Sequence, residues 1–188
     1  MQVFFVTHPE VTVDPAVPVP RWRLSAVGIA AMRRFSVEAA LREVGAVWSS
    51  TEAKSIEAAG ILAAERGIGI SVHAGLGEND RSATGYLPRT EFEGVADRFF
   101  AEPDRSIRGW ERAVDAQARV VAAVRAIGQG HDGRGDLALV SHGGVGALLY
   151  CALVGEPISR RHDQQAQGNV FRFDPEAWRL LEGWRPLG

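Results

Sequence analysis

Short apolar runs alternate along the chain with longer segments in which apolar residues recur at helical spacing. The short runs are rich in β-branched and aromatic residues and are bounded by glycine, proline or polar residues, which is typical of strands. The runs 2–7 and 136–141 are almost continuously apolar, as strands buried on both faces are. Two further strands are predicted at residues 46–48 and 68–72, and two edge strands at 169–173 and 179–183.

Helical spacing predicts five helices between these strands. The clearest covers residues 110–127, where a broad apolar stripe recurs every three or four positions. Ser25 is a suitable N-cap for a helix that extends to about Val44. The remaining helices are predicted over residues 52–66, 91–100 and 145–154. Strands that alternate with helices predict an α/β fold with a mostly parallel central sheet and helices on both faces.

Length and composition narrow the kind of protein. A chain of 188 residues with 46% apolar and 23% charged residues is suited to one globular domain, and no linker or repeat divides residues 1–188. The net charge of −2 gives no reason to expect nucleic acid or an anionic membrane as a partner. No stretch has membrane-spanning length and no signal segment begins the chain, so the expected location is cytoplasmic. The sequence does not indicate an oligomeric state.

Cofactor and metal sites are not predicted either. The histidines, the single cysteine and the carboxylates lack the spacing of metal ligands. The glycines at 143, 144 and 146 fit neither a dinucleotide fingerprint nor a phosphate-binding Walker loop. A serine hydrolase is also disfavoured, because the glycine that a nucleophile elbow requires before its serine is missing at Ser141. We therefore expect no cofactor and no metal.

Two histidines stand where the two most apolar strands end. His8 follows the first run, and His142 follows the run that ends at Ser141 and precedes two glycines. The carboxyl ends of parallel strands share one edge of a sheet, and open α/β sheets build their sites there. The sequence therefore predicts that the two imidazoles meet, in an arrangement suited to chemistry on a phosphate, with one ring attacking and the other stabilising charge.

Several motifs in order along the chain resemble those of the histidine phosphatase superfamily, also called phosphoglycerate mutase-like. The resemblance spans the chain from Val3 to about Leu153 and implies a three-layer α/β/α sandwich. The family's Arg-His-Gly motif is replaced here by Thr7-His8-Pro9. The motifs that carry the resemblance are Thr7-His8-Pro9-Glu10, Leu24-Ser25-x-x-Gly28, Ser49-Ser50-x-x-x-Lys54, Gly77-Glu78 and Val140-Ser141-His142-Gly143-Gly144.

The resemblance implies roles for three residues in catalysis. His8 would attack phosphorus and form a phosphohistidine. His142 would stabilise the charge on the phosphoryl oxygens. Glu78 would protonate the leaving oxygen and then act as base for water, with Asp80 in the same loop as the competing candidate.

The phosphate-binding residues depart from the family pattern. Thr7 keeps a hydroxyl donor but lacks the charge and fork of the arginine, and Lys54, the only lysine, stands where the family has a second arginine. Gly143 is expected among the phosphate-binding residues, and helix amides that follow Gly143-Gly144 would add anion contacts at a helix N-terminus. We expect Arg21, with Arg23 beside it, to restore positive charge from the loop that rims the site in relatives.

Two functions follow from these residues. The first is a phosphomonoesterase-type hydrolase that acts through a phosphohistidine on a small phosphorylated substrate or on phosphohistidine itself. The second is a catalytically impaired relative that still binds inorganic phosphate or a similar anion, because two impaired donors leave a weak phosphate clamp. The chain lacks obvious insertions to enclose a bisphosphate cofactor, and this favours hydrolysis over mutase action.

Overall fold

A six-stranded sheet forms the centre of the fold in the computed structural model, which describes residues Met1–Gly188. In chain order the strands are β1 (Val3–Thr7), β2 (Val44–Ser49), β3 (Ile70–Val72), β4 (Asp136–Ser141), β5 (Asn169–Asp174) and β6 (Arg179–Pro186). Their order across the sheet is β3-β2-β4-β1-β5-β6. The first four in this order are parallel, and β5 and β6 are antiparallel to their neighbours. The prediction of an α/β fold with a mostly parallel sheet is confirmed.

Helices cover both faces of the sheet and make two separate cores. The side chains of β1 alternate between them: Phe4 and Val6 face one core, and Val3 and Phe5 face the other. The first core is closed by α1 (Ala26–Ser36) and α2 (Ala53–Arg66), the second by α3 (Arg89–Ala101), α4 (Ala113–Gly130) and α5 (Gly143–Val154). None of these helices combines the length and apolarity that crossing a bilayer requires.

Two of the predicted helices differ most from the structure in their bounds. The first ends at Ser36 rather than near Val44, because the hydroxyl of Ser36 bonds back to the Arg33 carbonyl and the chain then turns toward β2. The fourth begins at Ala113 rather than at residue 110. Here Arg112 is the N-cap and has an extended backbone (φ −68°, ψ 145°), so the helix begins at the next residue.

The prediction that residues 169–173 form an edge strand is wrong. β5 lies between β1 and β6, and its apolar residues are buried. Val170 and Phe171 pack into opposite cores, as neighbouring residues of a strand buried on both faces do. Only β6, which is longer than predicted, forms the edge on this side of the sheet.

The loop that follows β1 is held close to the start of α1. Ser25 caps this helix as predicted: its Oγ accepts a hydrogen bond from the Gly28 amide at 3.0 Å. A side chain at Gly28 would place its Cβ 2.1 Å from the Glu10 carbonyl oxygen, so only glycine permits this approach. The contact fixes the backbone just after His8, and it accounts for the Leu24-Ser25-x-x-Gly28 pattern.

Candidate active site

The structure brings His8 and His142 together at the carboxyl edge of the sheet. β1 and β4 are parallel neighbours with Thr7 opposite Ser141, and the His8 amide donates to the Ser141 carbonyl at 3.1 Å. The two imidazole rings that follow these strands have centroids 5.2 Å apart and are inclined by 67°. This register makes two residues from distant parts of the sequence direct neighbours.

The backbone selects the protonation site of His8. Its Nδ1 lies 2.9 Å from the Pro9 carbonyl oxygen, which can only accept, so Nδ1 carries the proton and Nε2 keeps its lone pair. Burial lowers the pKa of His8 from 6.5 to about 4, because the charged imidazolium is poorly solvated there. The ring is therefore neutral at pH 7, with an unprotonated Nε2 that is able to attack an electrophile.

His142 is completely buried, and its two ring nitrogens have different surroundings. Nε2 lies 2.8 Å from Ser50 Oγ and 3.3 Å from Glu52 Oε1, whereas the buried Nδ1 has no hydrogen-bond partner. Burial lowers the pKa of His142 well below its ordinary value, and the carboxylate of Glu52 opposes this effect. An unpartnered buried ring nitrogen is costly unless a ligand completes it, so Nδ1 is a free polar atom on the ring that adjoins His8.

Sequence reasoning missed Glu52, which lies at the centre of this cluster. Its carboxylate forms an ion pair with Lys54, and its Oε1 accepts a hydrogen bond from the Glu78 amide at 3.1 Å. Although burial alone raises the pKa of Glu52, His142 and the Lys54 ammonium outweigh it and lower this pKa to about 2. In the sequence Glu52 is an ordinary acidic residue in the first turn of the helix predicted over residues 52–66, so no pattern distinguished it.

Lys54 lies in the site, but its ammonium group already has partners within the protein. Besides Glu52, its Nζ contacts the Val19 carbonyl oxygen at 3.0 Å, and the side chain is 3% exposed. The lysine thus ties α2 to the short 3-10 turn Val19–Arg21 in the proline-rich loop. Its charge is balanced by Glu52, which differs from the free cation that the sequence suggested.

Thr7 does not offer the free hydroxyl that we expected at a phosphate site. Its Oγ1 accepts from the backbone N–H of Asn169 at 2.9 Å and donates to Gln164 Oε1 at 2.6 Å. The residue is fully buried. In the structure the Thr7 hydroxyl therefore supports Gln164, and a direct contact of Thr7 with phosphate stays a prediction. Gln164 lies in the loop before β5, and nothing in its sequence context identified it.

Glu78 occupies the N-terminus of α5, where free amides were expected to meet a phosphate. Its carboxylate oxygens accept from the amides of Gly144 and Val145 at 3.2 and 3.1 Å. A Cβ at Gly144 would lie 2.7 Å from Glu78 Oε1, and one at Gly143 would lie 2.5 Å from Gln164 Nε2. The two glycines thus admit these two side chains to the helix start, and the amide contacts expected after Gly143 are taken by Glu78.

The competing carboxylate, Asp80, is directed elsewhere. It is exposed, and its Oδ1 accepts from the Ser82 amide at 2.8 Å, which lowers its pKa. Asp80 therefore serves the local turn. Of the two carboxylates, only Glu78 reaches the residues that follow His142.

The arginines around the site differ in whether they form ion pairs. Arg21 is exposed and forms no ion pair, whereas Arg23 pairs with Glu57 on α2. Sequence reasoning did not single out Arg81, whose guanidinium lies 5.0 Å from the Phe92 ring centroid and forms no ion pair. Its charge helps to lower the pKa of both His8 and His142, after burial as the main cause. Arg81 is thus an unpaired cation near the two imidazoles.

Two loops meet beside these residues. Trp22 in the proline-rich loop packs on Tyr86 in the loop before α3, with ring centroids 5.6 Å apart. The second loop is fixed by Arg119, which donates to the carbonyls of Gly75, Gly77 and Glu78. The structure contains no group of three or more histidine, cysteine, aspartate or glutamate side chains arranged to hold a metal ion.

Comparison with known proteins agrees with this architecture. Residues 17–184 match the sequence profile of the histidine phosphatase superfamily (branch 1). A search of curated proteins found no match. Similar solved structures include a mycobacterial glucosyl-3-phosphoglycerate phosphatase in complex with inorganic phosphate, which is 18% identical with a TM-score of 0.76 and covers 98% of this chain and 94% of its own.

Two more solved structures have the same fold. Bacillus stearothermophilus YhfR is 22% identical, has a TM-score of 0.78 and covers 96% of this chain and 94% of its own. A phosphoserine phosphatase from Entamoeba histolytica in complex with 3-phosphoglyceric acid is 13% identical, has a TM-score of 0.71 and covers 96% and 94%. At these identities the similarity establishes the fold.

Proposed function

Since the chain belongs to the histidine phosphatase superfamily (branch 1), we propose that it hydrolyses phosphomonoesters through a phosphohistidine on His8. One observation carries this proposal: the unprotonated Nε2 of His8 lies beside a second imidazole whose Nδ1 has no partner. A nucleophile next to an unfilled polar position is the minimum that phosphoryl transfer to a side chain requires. The proposal treats residues 1–188 as one functional domain.

In the first proposed step, the lone pair of His8 Nε2 forms a bond to phosphorus as the bond from phosphorus to the leaving oxygen breaks. His142 stabilises the charge on the phosphoryl oxygens by donating from Nδ1, which carries the ring proton when Nε2 accepts from the Ser50 hydroxyl. The leaving oxygen takes a proton from Glu78, whose carboxyl group is fixed by two amides of α5.

In the second step, water attacks the phosphohistidine. Glu78 accepts a proton from that water, the bond from phosphorus to Nε2 breaks, and inorganic phosphate leaves. The enzyme returns to its starting state, with a neutral His8 and no cofactor involved. Leaving groups that need little protonation, such as an aryl oxide or the imidazole of phosphohistidine, place the smallest demand on Glu78.

We propose a small phosphorylated molecule as substrate and a cytoplasmic location, where such metabolites occur. The support for this substrate class comes from the ligands that similar proteins bind. Inorganic phosphate and 3-phosphoglyceric acid are bound by two of the similar structures. We propose no nucleic acid and no membrane as partner, in agreement with the net charge of −2.

The proposal is tested by turnover of 4-nitrophenyl phosphate by the purified protein. We expect release of nitrophenolate, and we expect His142→Asn to lower kcat about 10²–10³-fold, because a donor to the transition-state charge is lost. The control is His131→Asn, a substitution in the turn after α4. Absence of turnover in the wild type, or equal rates for His142→Asn and the control, would refute it.

Three contacts favour the second candidate, an anion-binding relative without turnover. Lys54 is neutralised by Glu52, the hydroxyl of Thr7 is held by Gln164, and the α5 amides are held by Glu78. Each contact removes one group that would otherwise face a phosphate. Calorimetric binding of inorganic phosphate that depends on His142, without hydrolysis of aryl phosphates or of phosphohistidine, would establish this candidate instead.

The low pKa of His8 gives a prediction about pH. In a histidine NMR titration, the His8 signal, assigned by its loss in His8→Asn, is expected to titrate near pH 4 rather than 6.5. The unfolded chain binds its proton at the higher pH, so this residue's contribution to stability is complete above pH 6.5 and is lost as the pH falls toward 4. A His8 midpoint near 6.5 would show that the ring is solvated and that burial does not keep its Nε2 unprotonated.

A further inference from the structure

We propose that the side-chain amide of Gln164 binds the phosphoryl group, with Thr7 as the residue that orients it. This inference rests on the proposed function, since it names a donor for the same site. Thr7 and Gln164 are far apart in sequence and are joined by a 2.6 Å hydrogen bond, which this role explains. A neutral amide thereby supplies the contact next to His8 that a cation was expected to make.

The hydrogen bonds determine which end of the Gln164 amide faces which neighbour. Thr7 Oγ1 already accepts from the backbone N–H of Asn169, so its own proton goes to the nearer of its two acceptors, Gln164 Oε1 at 2.6 Å rather than the Asn169 carbonyl oxygen at 3.3 Å. Asn169 Nδ2 also donates to that oxygen, at 3.3 Å. Two donors converge on one end of the side chain, so that end is the oxygen and the other end is the NH₂ group.

The NH₂ group of Gln164 then lies at the start of α5, next to the residue that follows His142, and has no acceptor of its own. It forms no hydrogen bond within the protein, and it lies 2.5 Å from where a Cβ of Gly143 would be. Gly143 directly follows His142, and Thr7 directly precedes His8. The amide is therefore placed between the two residues that flank the imidazoles, at a spot kept open by a glycine.

The surrounding groups favour an anion as the missing acceptor. His142, whose Nδ1 is unpartnered, directly precedes Gly143, and the unpaired positive charge of Arg81 acts on His142. The backbone amides of Gly144 and Val145 are not available, because they hold Glu78. Among groups on the loop before β5, Gln164 alone has a fixed, free donor that adjoins the start of α5.

The test is Gln164→Glu, which keeps the oxygen that Thr7 and Asn169 contact but replaces the NH₂ group by an acceptor. Gln165→Glu is the matched control, since it adds the same charge at the exposed neighbouring position. We expect Gln164→Glu to weaken binding of inorganic phosphate about tenfold or more and to lower kcat/KM for 4-nitrophenyl phosphate about 10²-fold. The control is expected to match the wild type in both.

Thr7→Val tests the orienting role. It is nearly isosteric, and we expect a smaller loss of phosphate affinity that is not additive with the loss in Gln164→Glu, because both changes act on one contact. A merely structural role would lower the melting temperature of both variants and leave their phosphate affinity unchanged once folded. Unchanged affinity in folded Gln164→Glu, or full additivity, would overturn the inference.

The outcomes separate this inference from the proposed function. Turnover by the wild type with equal activity in Gln164→Glu and Gln165→Glu rejects Gln164 alone. Phosphate binding that Gln164→Glu weakens, in a wild type without turnover, supports Gln164 as a donor while rejecting hydrolysis. A wild type that neither binds phosphate nor turns over aryl phosphates overturns both.

Discussion

Replacement of His8 by asparagine is expected to lower kcat for 4-nitrophenyl phosphate by about 10⁴-fold or more, because no nucleophile remains to accept the phosphoryl group. Asparagine can still donate to the Pro9 carbonyl as Nδ1 does, so the local backbone contact is kept and Nε2 is removed. The measurement is steady-state release of nitrophenolate, together with thermal unfolding to show that the variant is folded.

The matched control for this prediction is His131→Asn. His131 lies in the turn after α4 and contacts the Gly135 carbonyl, away from the sheet edge where His8 lies. Its loss is expected to leave kcat within about twofold, as for a surface substitution away from the site. Activity in folded His8→Asn close to that of this control would show that the reaction does not pass through His8.

Loss of the Lys54 ammonium is expected to destabilise the protein by about 3–5 kcal/mol, because Glu52 would remain buried as an unpaired charge. The variant is Lys54→Met, which keeps the volume of the side chain. Lys54 is 3% exposed and Glu52 11%, so water cannot replace the lost partner. The free energy of unfolding is measured by urea denaturation at pH 7, where Glu52 is ionised.

Two further variants make this prediction specific. Glu52→Gln with Lys54→Met is expected to recover most of the lost stability, since no unpaired charge is then buried. Arg23→Met breaks an ion pair with Glu57 in which the arginine side chain is 77% exposed, and it is expected to cost less than about 1 kcal/mol. Equal losses for Lys54→Met and Arg23→Met would mean that the Glu52–Lys54 pair is solvated and does not organise the site.

The sequence was informative about the fold because apolar pattern and strand ends are local signals. The near-continuous apolar runs of β1 and β4 predicted buried parallel strands, and the residues after them predicted which side chains share an edge. Helix ends were harder: the end of α1 depends on Ser36 bonding back to Arg33, and the start of α4 depends on the extended backbone of Arg112. Such contacts leave little trace in hydrophobic periodicity.

The candidate site was predictable only in part, for a physical reason. His8 and His142 lie at strand ends, so the topology alone brings them together. Glu52, Gln164 and Arg81 reach the site through helix starts and loops, whose paths depend on tertiary contacts that a sequence pattern does not encode. The same contacts redirect Thr7 to Gln164, and Lys54 to Glu52 and Val19.

The most direct test of the central claim is to identify the covalent intermediate. Glu78→Gln is mixed with 4-nitrophenyl phosphate, quenched at alkaline pH to preserve phosphohistidine, and digested for tandem mass spectrometry. The account predicts one added phosphoryl group on the peptide that contains His8, on that residue, and none in the variant that also carries His8→Asn. A phosphoryl group found on His142 or on any other residue would contradict the account. Turnover by the wild type with no phosphopeptide trapped in Glu78→Gln would also contradict it.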